Sequence, residues 1–182
     1  MIYWTSDTHF LHANIIKYCA RPFTDKLEMT EALITNWNET VDPSDTVYHL
    51  GDVAFCPDDP LTQILNRLNG KIVLVMGNHD RNLYRHIKTC FNGRFESMHT
   101  HTLSITLESG QSVLMSHRPI YDTNFTKRAK GWMLHGHAHG TEPLSYNMLD
   151  VGVDCHNYRP IPIEQVANLM KERDGLVGKQ KD

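Results

Sequence analysis

The sequence lacks paired cysteines and an excess of positive charge. Its four cysteines, Cys19, Cys56, Cys90 and Cys155, form no C-x-x-C pair and no closely spaced framework. Buried, reduced thiols are therefore expected, as in a cytosolic protein. Lysine and arginine number 18 against 21 for aspartate and glutamate, so the net charge is -3. This balance argues against an extended nucleic-acid partner held by phosphate neutralisation.

The sequence also has no long apolar run. A transmembrane helix needs about 18 or more consecutive apolar residues, and no segment reaches that length. Met1 leads directly into Ile2, Tyr3 and Trp4 rather than into the charged and apolar regions of a signal peptide. We therefore expect a cytoplasmic protein without a membrane partner.

Short apolar runs alternate with helical patterns early in the chain, and strand patterns cluster after Phe95. Strands are predicted at residues 2–5, 46–50, 72–76, 103–107, 112–115, 132–134 and 145–153, the fourth and fifth forming a hairpin. A helix is predicted to begin at the capping-box spacing of Asp25 and Glu28. Further helices are predicted at residues 12–18, from Asp59 to Gly70, around residues 83–91 and around residues 163–170. The pattern predicts one domain over residues 1–173, with two packed sheets inside outer helices and a frayed tail from Asp174.

Histidine is the residue in excess, with 12 in a chain of 182. Several histidines and other polar side chains directly follow predicted strands. They are Asp7, His9, Asp52, Asn78, His117, His137 and His139. Asp7 and His9, two residues apart, point the same way if the strand geometry persists. Because parallel strands end at one edge of a sheet, all these groups are expected to converge there.

This set of ligands is too large for one ordinary ion. Two divalent ions about 3.5–4 Å apart, bridged by a carboxylate, use such a number of protein donors. Imidazole mixed with carboxylate and amide oxygens suits Mn, Fe, Zn, Co or Ni better than Mg or Ca. The sequence therefore predicts a centre of two divalent metal ions and does not choose among these elements.

Five ordered motifs resemble those of the calcineurin-like metallophosphoesterases. They are D-x-H at residues 7–9, G-D at 51–52, G-N-H-D at 77–80, the lone His117, and G-H-x-H at 136–139. The resemblance implies an α/β fold, a four-layer α-β-β-α sandwich of two mixed sheets flanked by helices. It also implies a dinuclear phosphohydrolase that cleaves a phosphodiester or phosphomonoester with a metal-bridging hydroxide.

The same resemblance implies a role for each motif residue. Asp7, His9, Asp52 and His139 would hold one metal ion, and Asp52, Asn78, His117 and His137 the other. Asp52 is then the bridge, and Asn78 is also a candidate contact for the phosphate. His79 is the predicted general acid for the leaving alkoxide. Asp80 has two open roles, orienting His79 or capping a following helix.

The substrate is less well defined. Many protein phosphatases of this family carry the motif G-D-x-x-D-R-G. Here Gly51-Asp52 is followed by Val53-Ala54-Phe55-Cys56, without the second aspartate and the arginine. A protein-phosphatase function is therefore disfavoured. Residues 5–16 resemble the opening of small, single-domain bacterial and phage members of the family. The expected partner is a small phosphorylated substrate, with a nucleotide among the candidates. A nuclease of the same fold and a scaffold subunit that binds a protein partner are the alternatives.

Further polar residues have candidate roles beside the metal ligands. His12 and Asn14, near the start of the first predicted helix, and Arg118, next to His117, are candidate phosphate contacts. His135 has an orienting role as one option. The other histidines are expected to be packed and hydrogen-bonded without a role in the site, namely His49, His86, His99, His101 and His156.

Overall fold

The computed structural model describes residues 1–55, 58–80, 94–121, 131–141 and 147–178. Cys56, Cys90, His86 and the helix predicted at residues 83–91 lie outside these ranges. Within them, no helix is both long enough and apolar enough to cross a membrane. The two cysteines that lie within them are free, Cys19 half-buried and Cys155 exposed, so the expectation of buried thiols is wrong for this pair.

The first sheet is built mainly from the predicted strands of the first half of the chain. It contains β1 (Ile2–Thr5), β2 (Thr46–His49), β3 (Lys71–Val75), β4 (Phe95–His99) and β9 (Ile161–Pro162), in the order β4-β3-β2-β1-β9. The first four strands are parallel, and β9 runs antiparallel to β1. β3 is buried at every position except Lys71, as expected for a strand covered on both faces.

The second sheet contains β5 (Thr102–Thr106), β6 (Ser112–Ser116), β7 (Trp132–His135) and β8 (Met148–Asp150), in that order. β5 and β6 form the predicted antiparallel hairpin, with Leu107 to Gln111 closing the turn. β6, β7 and β8 are parallel. β5 lies at the edge and alternates between exposed and half-buried side chains, as a strand with one solvated face does.

The helices are α1 (Ala13–Tyr18), α2 (Lys26–Thr40), α3 (Asp58–Leu65) and α4 (Ile163–Gly178). Asp25 caps α2 by accepting hydrogen bonds from the amides of Leu27 and Glu28, but Glu28 accepts from Thr24 rather than from Asp25. α3 begins at Asp58 and ends at Leu65, so the predicted start at Asp59 and end at Gly70 are wrong. α4 continues beyond Asp174, where the tail was expected to begin.

Two apolar clusters hold these elements together. One joins the first sheet to α2 and α3 through residues such as Trp37, Leu61 and Leu74. The other lies between the sheets and includes Trp4, Met115 and side chains of α4. The Trp4 indole N–H donates to the Met115 sulfur across this interface at 3.1 Å. Two packed mixed sheets flanked by helices therefore confirm the predicted α/β sandwich.

Candidate metal centre

The segment after β1 leaves strand geometry at once. Asp7 has φ 57° and His9 has φ 48°, both in the left-handed region that L-residues rarely adopt. The strand geometry on which their common direction depended therefore does not persist. The two side chains nevertheless approach each other, with Asp7 Oδ1 3.9 Å from His9 Nε2, because these turns redirect both toward the edge of the sheets.

Backbone hydrogen bonds hold this unusual segment against the segment that follows β2. The Asp7 amide donates to Gly51 O at 2.9 Å, and the His9 amide donates to Asp52 O at 3.0 Å. The buried Arg21 guanidinium donates to Asp7 O at 2.7 Å. Left-handed backbone costs about 1–2 kcal/mol per residue, and these hydrogen bonds offset that cost.

A first group of ligand atoms lies where these two segments meet the G-H-x-H turn. Asp7, His9 and His139 each place one ligand atom within 4.8 Å of those of the other two. His9 Nε2 is also 3.7 Å from Asp52 Oδ2. Among the described residues, Asp7 Oδ1 and His9 Nε2 are buried without a hydrogen-bond partner. Such groups are costly to bury unless something binds them, and a divalent cation fits a carboxylate oxygen facing an imidazole nitrogen.

A second group lies beside the first. Asp52, His117 and His137 also bring one ligand atom each within 4.8 Å of one another. His117 Nε2 is 3.4 Å from Asp52 Oδ2 and 3.1 Å from Asn78 Oδ1. Asp52 Oδ2 thus faces His9 on one side and His117 on the other. This is the arrangement that a bridging carboxylate requires.

Hydrogen bonds on the far side of the rings determine which nitrogen each histidine presents. His117 Nδ1 lies 2.8 Å from Leu50 O, a carbonyl that accepts only a proton-bearing nitrogen. His139 Nδ1 lies 2.7 Å from Asp154 Oδ2. In both rings Nδ1 therefore carries the proton in the neutral form, and Nε2 keeps its lone pair toward the centre. Carboxylates and carbonyls orient metal-binding histidines in this way.

Asp154 and Arg21 are functional neighbours that sequence reasoning missed. Arg21 donates to both oxygens of Asp154, at 2.7 Å each, and Asp154 in turn holds His139. In the sequence, Arg21 is noticeable only as the residue before a proline, and Asp154 only as the residue after a predicted strand. The two are 133 positions apart, so no spacing links them.

The electrostatics of the centre follow from burial and close charge. Burial raises the pKa of Asp7 to about 6 and lowers that of His9 to about 2. Burial also lowers the pKa of His137. For Asp52 burial acts upward, but its hydrogen bond to His117 and the His117 charge outweigh this and lower the pKa.

The pKa values of His117 and His139 shift in the opposite direction from those of His9 and His137. Burial alone lowers the pKa of both rings. For His117, the hydrogen bond to Asp52 and the charge of Asp7 outweigh burial and raise the pKa. For His139, the hydrogen bond to Asp154 and the charge of Asp7 do the same. In the pair of Asp52 and His117, the charged forms, carboxylate and imidazolium, are therefore favoured until a metal cation replaces the proton of the ring.

Asp80 contacts backbone amides rather than the His79 ring, and the helix of its other predicted role lies outside the described residues. Its carboxylate is fully buried and accepts three backbone hydrogen bonds, from Asp52 N at 2.8 Å, Val53 N at 3.0 Å and Gly77 N at 2.7 Å. It thereby ties the loop after β2 to the loop after β3. The His79 amide completes the junction by donating to Asp52 Oδ1 at 2.9 Å.

The two loops approach so closely that glycine is required at their contact. A Cβ on Gly77 would lie 2.1 Å from Asp52 Oδ1, and one on Gly51 would lie 2.3 Å from Gly77 N. Gly51 has φ 95°, whereas Gly77 is outside the left-handed region. Gly77 is therefore required by steric contact with Asp52, rather than as a flexible hinge.

His79 lies at the open side of the centre. Its side chain is 39% exposed, and its Nε2 is 3.9 Å from Asp52 Oδ2. The ring is close to those of His9, His12 and Phe55. His79 is therefore accessible to a substrate group while it stays beside the metal ligands.

The candidate phosphate contacts separate into different positions. Arg118 lies beside the centre, with Nη2 3.4 Å from Asn78 Oδ1. It borders a cavity of about 640 Å³, which is lined by Met76, Gly77, Asn78, Thr100, His101, Thr102, Ser116, His117, Arg118 and Ile120. His12 Nδ1 is 3.3 Å from His9 Nδ1. Asn14 is exposed on α1, and in the described part of the chain its side chain makes no hydrogen bond to a site residue.

Of the histidines expected to be packed, His49, His99 and His156 have ordinary partners. His101 is exposed and lines the cavity beside Arg118, so the expectation is wrong for that residue. His49 is buried beside Thr8, with 3.0 Å between the ring and the hydroxyl. His156 Nε2 lies 2.8 Å from Asp150 O. His135, whose role the sequence left open, is buried in β7 and has its Nδ1 3.0 Å from Gly136 O. Its contact is with the backbone of the turn rather than with a ligand ring.

Replacing Asp80 by asparagine tests the junction of the two loops. The asparagine side chain has no negative charge, and its NH2 group replaces one of the two oxygens that accept hydrogen bonds from backbone N–H groups. We expect a loss of about 2 kcal/mol in the free energy of unfolding and about a 10- to 100-fold loss in metal affinity. Urea unfolding and metal titration measure the two effects. Asp42→Asn, at an exposed position, is the matched control; an Asp80→Asn protein equal to it would contradict the assignment.

The chain is similar to known proteins over most of its length. Residues 1–148 match the calcineurin-like phosphoesterase superfamily domain. The chain is 34% identical to the uncharacterized protein MJ1445 of Methanocaldococcus jannaschii, over 94% of this chain and 92% of that protein. It is 29% identical to the gene 66 protein of Mycobacterium phage D29, over 96% and 98% of the two chains. The crystal structure of AQ665, a protein of unknown function from Aquifex aeolicus, superimposes with a TM-score of 0.75 at 27% identity, covering 93% of this chain and 98% of that one. The chain therefore belongs to the calcineurin-like phosphoesterase superfamily.

Proposed function

We propose that the protein is a dinuclear metal-dependent phosphohydrolase that cleaves a small phosphodiester or phosphomonoester. One observation carries the proposal: two adjacent groups of ligand atoms share the buried carboxylate of Asp52. The superfamily consists of metal-dependent phosphoesterases, and every residue proposed as a ligand lies at the centre. That completeness also argues against a scaffold subunit that has lost its metals.

The residues are assigned to two sites. Asp7, His9, Asp52 and His139 would hold the first ion, and Asp52, Asn78, His117 and His137 the second. Bound divalent ions supply a hydroxide nucleophile near neutral pH and polarise the phosphoryl oxygens. The imidazole-rich donors favour Mn, Fe, Zn, Co or Ni.

His79 is the proposed general acid. Its ring is exposed on one side, and its backbone amide is bonded to Asp52 Oδ1, which fixes the residue beside the shared carboxylate. An imidazolium there donates its Nε2 proton to the oxygen of the departing alcohol. A general acid contributes most when that oxygen is strongly basic.

Three charged or polar side chains are proposed to bind the phosphate. Asn78 donates from its amide nitrogen while its oxygen faces the second site. Arg118 lies beside Asn78 and is the one arginine or lysine among the described residues that line the cavity. A guanidinium and an amide at this position would hold the non-reacting phosphoryl oxygens. His12 is the third candidate, on the side of His9 and His79.

Turnover of simple aryl phosphates tests the proposal. p-Nitrophenyl phosphate and bis-p-nitrophenyl phosphate are assayed with Mn, with and without a chelator. We expect metal-dependent hydrolysis of at least one ester, and we expect Asp52→Asn to fall to the chelated background because the shared ligand is weakened. Asp42→Asn is the control. An Asp52→Asn protein as active as wild type, or a wild type inactive on both esters, would refute the enzyme proposal.

The role of His79 predicts a dependence on the leaving group. His79→Asn should lower kcat by about 10²- to 10⁴-fold for an alkyl ester, whose alkoxide must be protonated as it leaves. The loss should be much smaller for p-nitrophenyl esters, because p-nitrophenolate departs without a proton. His99→Asn, a change in β4, is the matched control, and metal content is measured in each protein. Equal losses on both kinds of ester would exclude His79 as the acid.

Metal content should depend on pH through the ring ligands. A histidine must be neutral to bind a metal, and His117 and His139 have raised pKa values, so protons compete at these rings already near neutrality. Asp7 gains a proton as the pH falls through about 6, whereas His9 stays neutral. Bound metal should therefore begin to decline above the ordinary histidine pKa of about 6.5 and continue to fall below about pH 6, as elemental analysis after dialysis would show. A constant metal content over this range would contradict the ligand set.

A further inference from the structure

An apolar ring is exposed beside the proposed general acid. Phe55 is 56% exposed, although burying an aromatic side chain is normally favourable. The His12 ring stacks on it, with 4.6 Å between centroids and 23° between the planes. These two side chains are called the ring pair below.

The ring pair has a firm support. The Phe55 amide donates to Phe10 O at 3.1 Å, and the preceding Ala54 forms an isolated bridge with Phe10, which is completely buried. On the other side, the His12 amide donates to His9 O at 3.0 Å. Both members are therefore attached to the two segments that carry Asp7, His9 and Asp52. Their positions relative to the centre are set by backbone hydrogen bonds.

The ring pair lies on the side of the centre that carries His79, the proposed general acid. The Phe55 centroid is 5.6 Å from that of His79 with planes at 79°, and the His12 centroid is 6.3 Å from it. The oxygen protonated by His79 must lie next to the His79 ring. A group joined to that oxygen through a few bonds therefore reaches Phe55.

A flat apolar face backed by a second ring selects a planar partner. Bases stack on aromatic side chains with a gain that corresponds to about tenfold or more in affinity per base. A sugar or a short alkyl group has no π-face and gains little at such a surface. The cavity beside Arg118 lies next to Asn78 and His117, the second group of ligands, and is thus separate from the ring pair.

We propose that the exposed face of Phe55, which the His12 ring backs in the ring pair, binds a planar aromatic group, of the size of a nucleobase, on the alcohol that leaves. The proposal rests on the proposed phosphohydrolase function and makes the substrate a nucleoside-type ester. Phe55 would determine specificity without taking part in the chemistry, because its side chain carries no group that can transfer a proton or bind a metal.

Two phosphate esters of the ribose 5-hydroxyl, one with a base and one without, isolate the contribution of the ring. Adenosine 5′-monophosphate and ribose 5-phosphate differ at the base. If wild type hydrolyses only diesters, their methyl diesters replace them, and release of adenosine or ribose rather than of methanol is measured. We expect kcat/KM to favour the adenosine ester by about tenfold or more, mainly through KM. Phe55→Leu should remove most of this preference, and Phe55→Tyr, which keeps the ring, should retain it. Tyr18→Leu, at another exposed aromatic position, is the matched control.

The outcomes separate this proposal from the function on which it rests. Metal content is measured in every variant, so that a lost centre is recognised. A wild type without preference for the adenosine ester, or a Phe55→Leu protein that keeps the preference, would overturn the ring-pair proposal and leave the hydrolase standing. If metal-loaded wild type hydrolyses no ester, calorimetry decides: tighter binding of adenosine than of ribose, lost in Phe55→Leu, supports the ring pair, and equal binding overturns it.

Discussion

The Asp80 carboxylate is the contact on which the geometry of the centre depends. It gathers the backbone amides of Asp52, Val53 and Gly77, which belong to loops after two different strands. Burial raises its pKa, but three hydrogen bonds from amides favour the charged form. Without this anion, the loops would leave three buried N–H groups unpaired, and Asp52 would have no fixed position between His9 and His117.

The strand ends were predictable from sequence because apolar runs ending in Asp, Asn or His are local patterns. These patterns predicted that every proposed ligand lies at one edge of the sheets, and the structure brings the ligand residues together there. The routes to that edge were not predictable. Asp7 and His9 arrive through left-handed backbone rather than continued strand, and the contacts of Arg21 with Asp154 join residues far apart in the chain. Such contacts depend on tertiary packing, which no spacing in the sequence encodes.

Left-handed backbone recurs throughout the centre. Asp7, His9, Asp52, His137 and His139 all have φ between 47° and 67°. Glycine would adopt this conformation at little cost, but it would supply no ligand atom. The chain therefore retains strained residues where chemistry needs side chains, and the hydrogen bonds of Asp7, Arg21 and Asp80 compensate for the strain. Metal binding would add to this compensation, since it occurs only in the folded arrangement.

The segments after β1 and β2 continue side by side beyond the sheet, joined by backbone bonds from Asp7 to Gly51, His9 to Asp52, Phe10 to Val53 and Phe55 to Phe10. These bonds use main-chain atoms, so they persist whatever side chains occupy positions 12 and 55. The inward-facing positions bear the ligands, whereas positions 12 and 55 are at least partly exposed. Related proteins could therefore diverge at those outer positions during evolution while inheriting the same inner geometry.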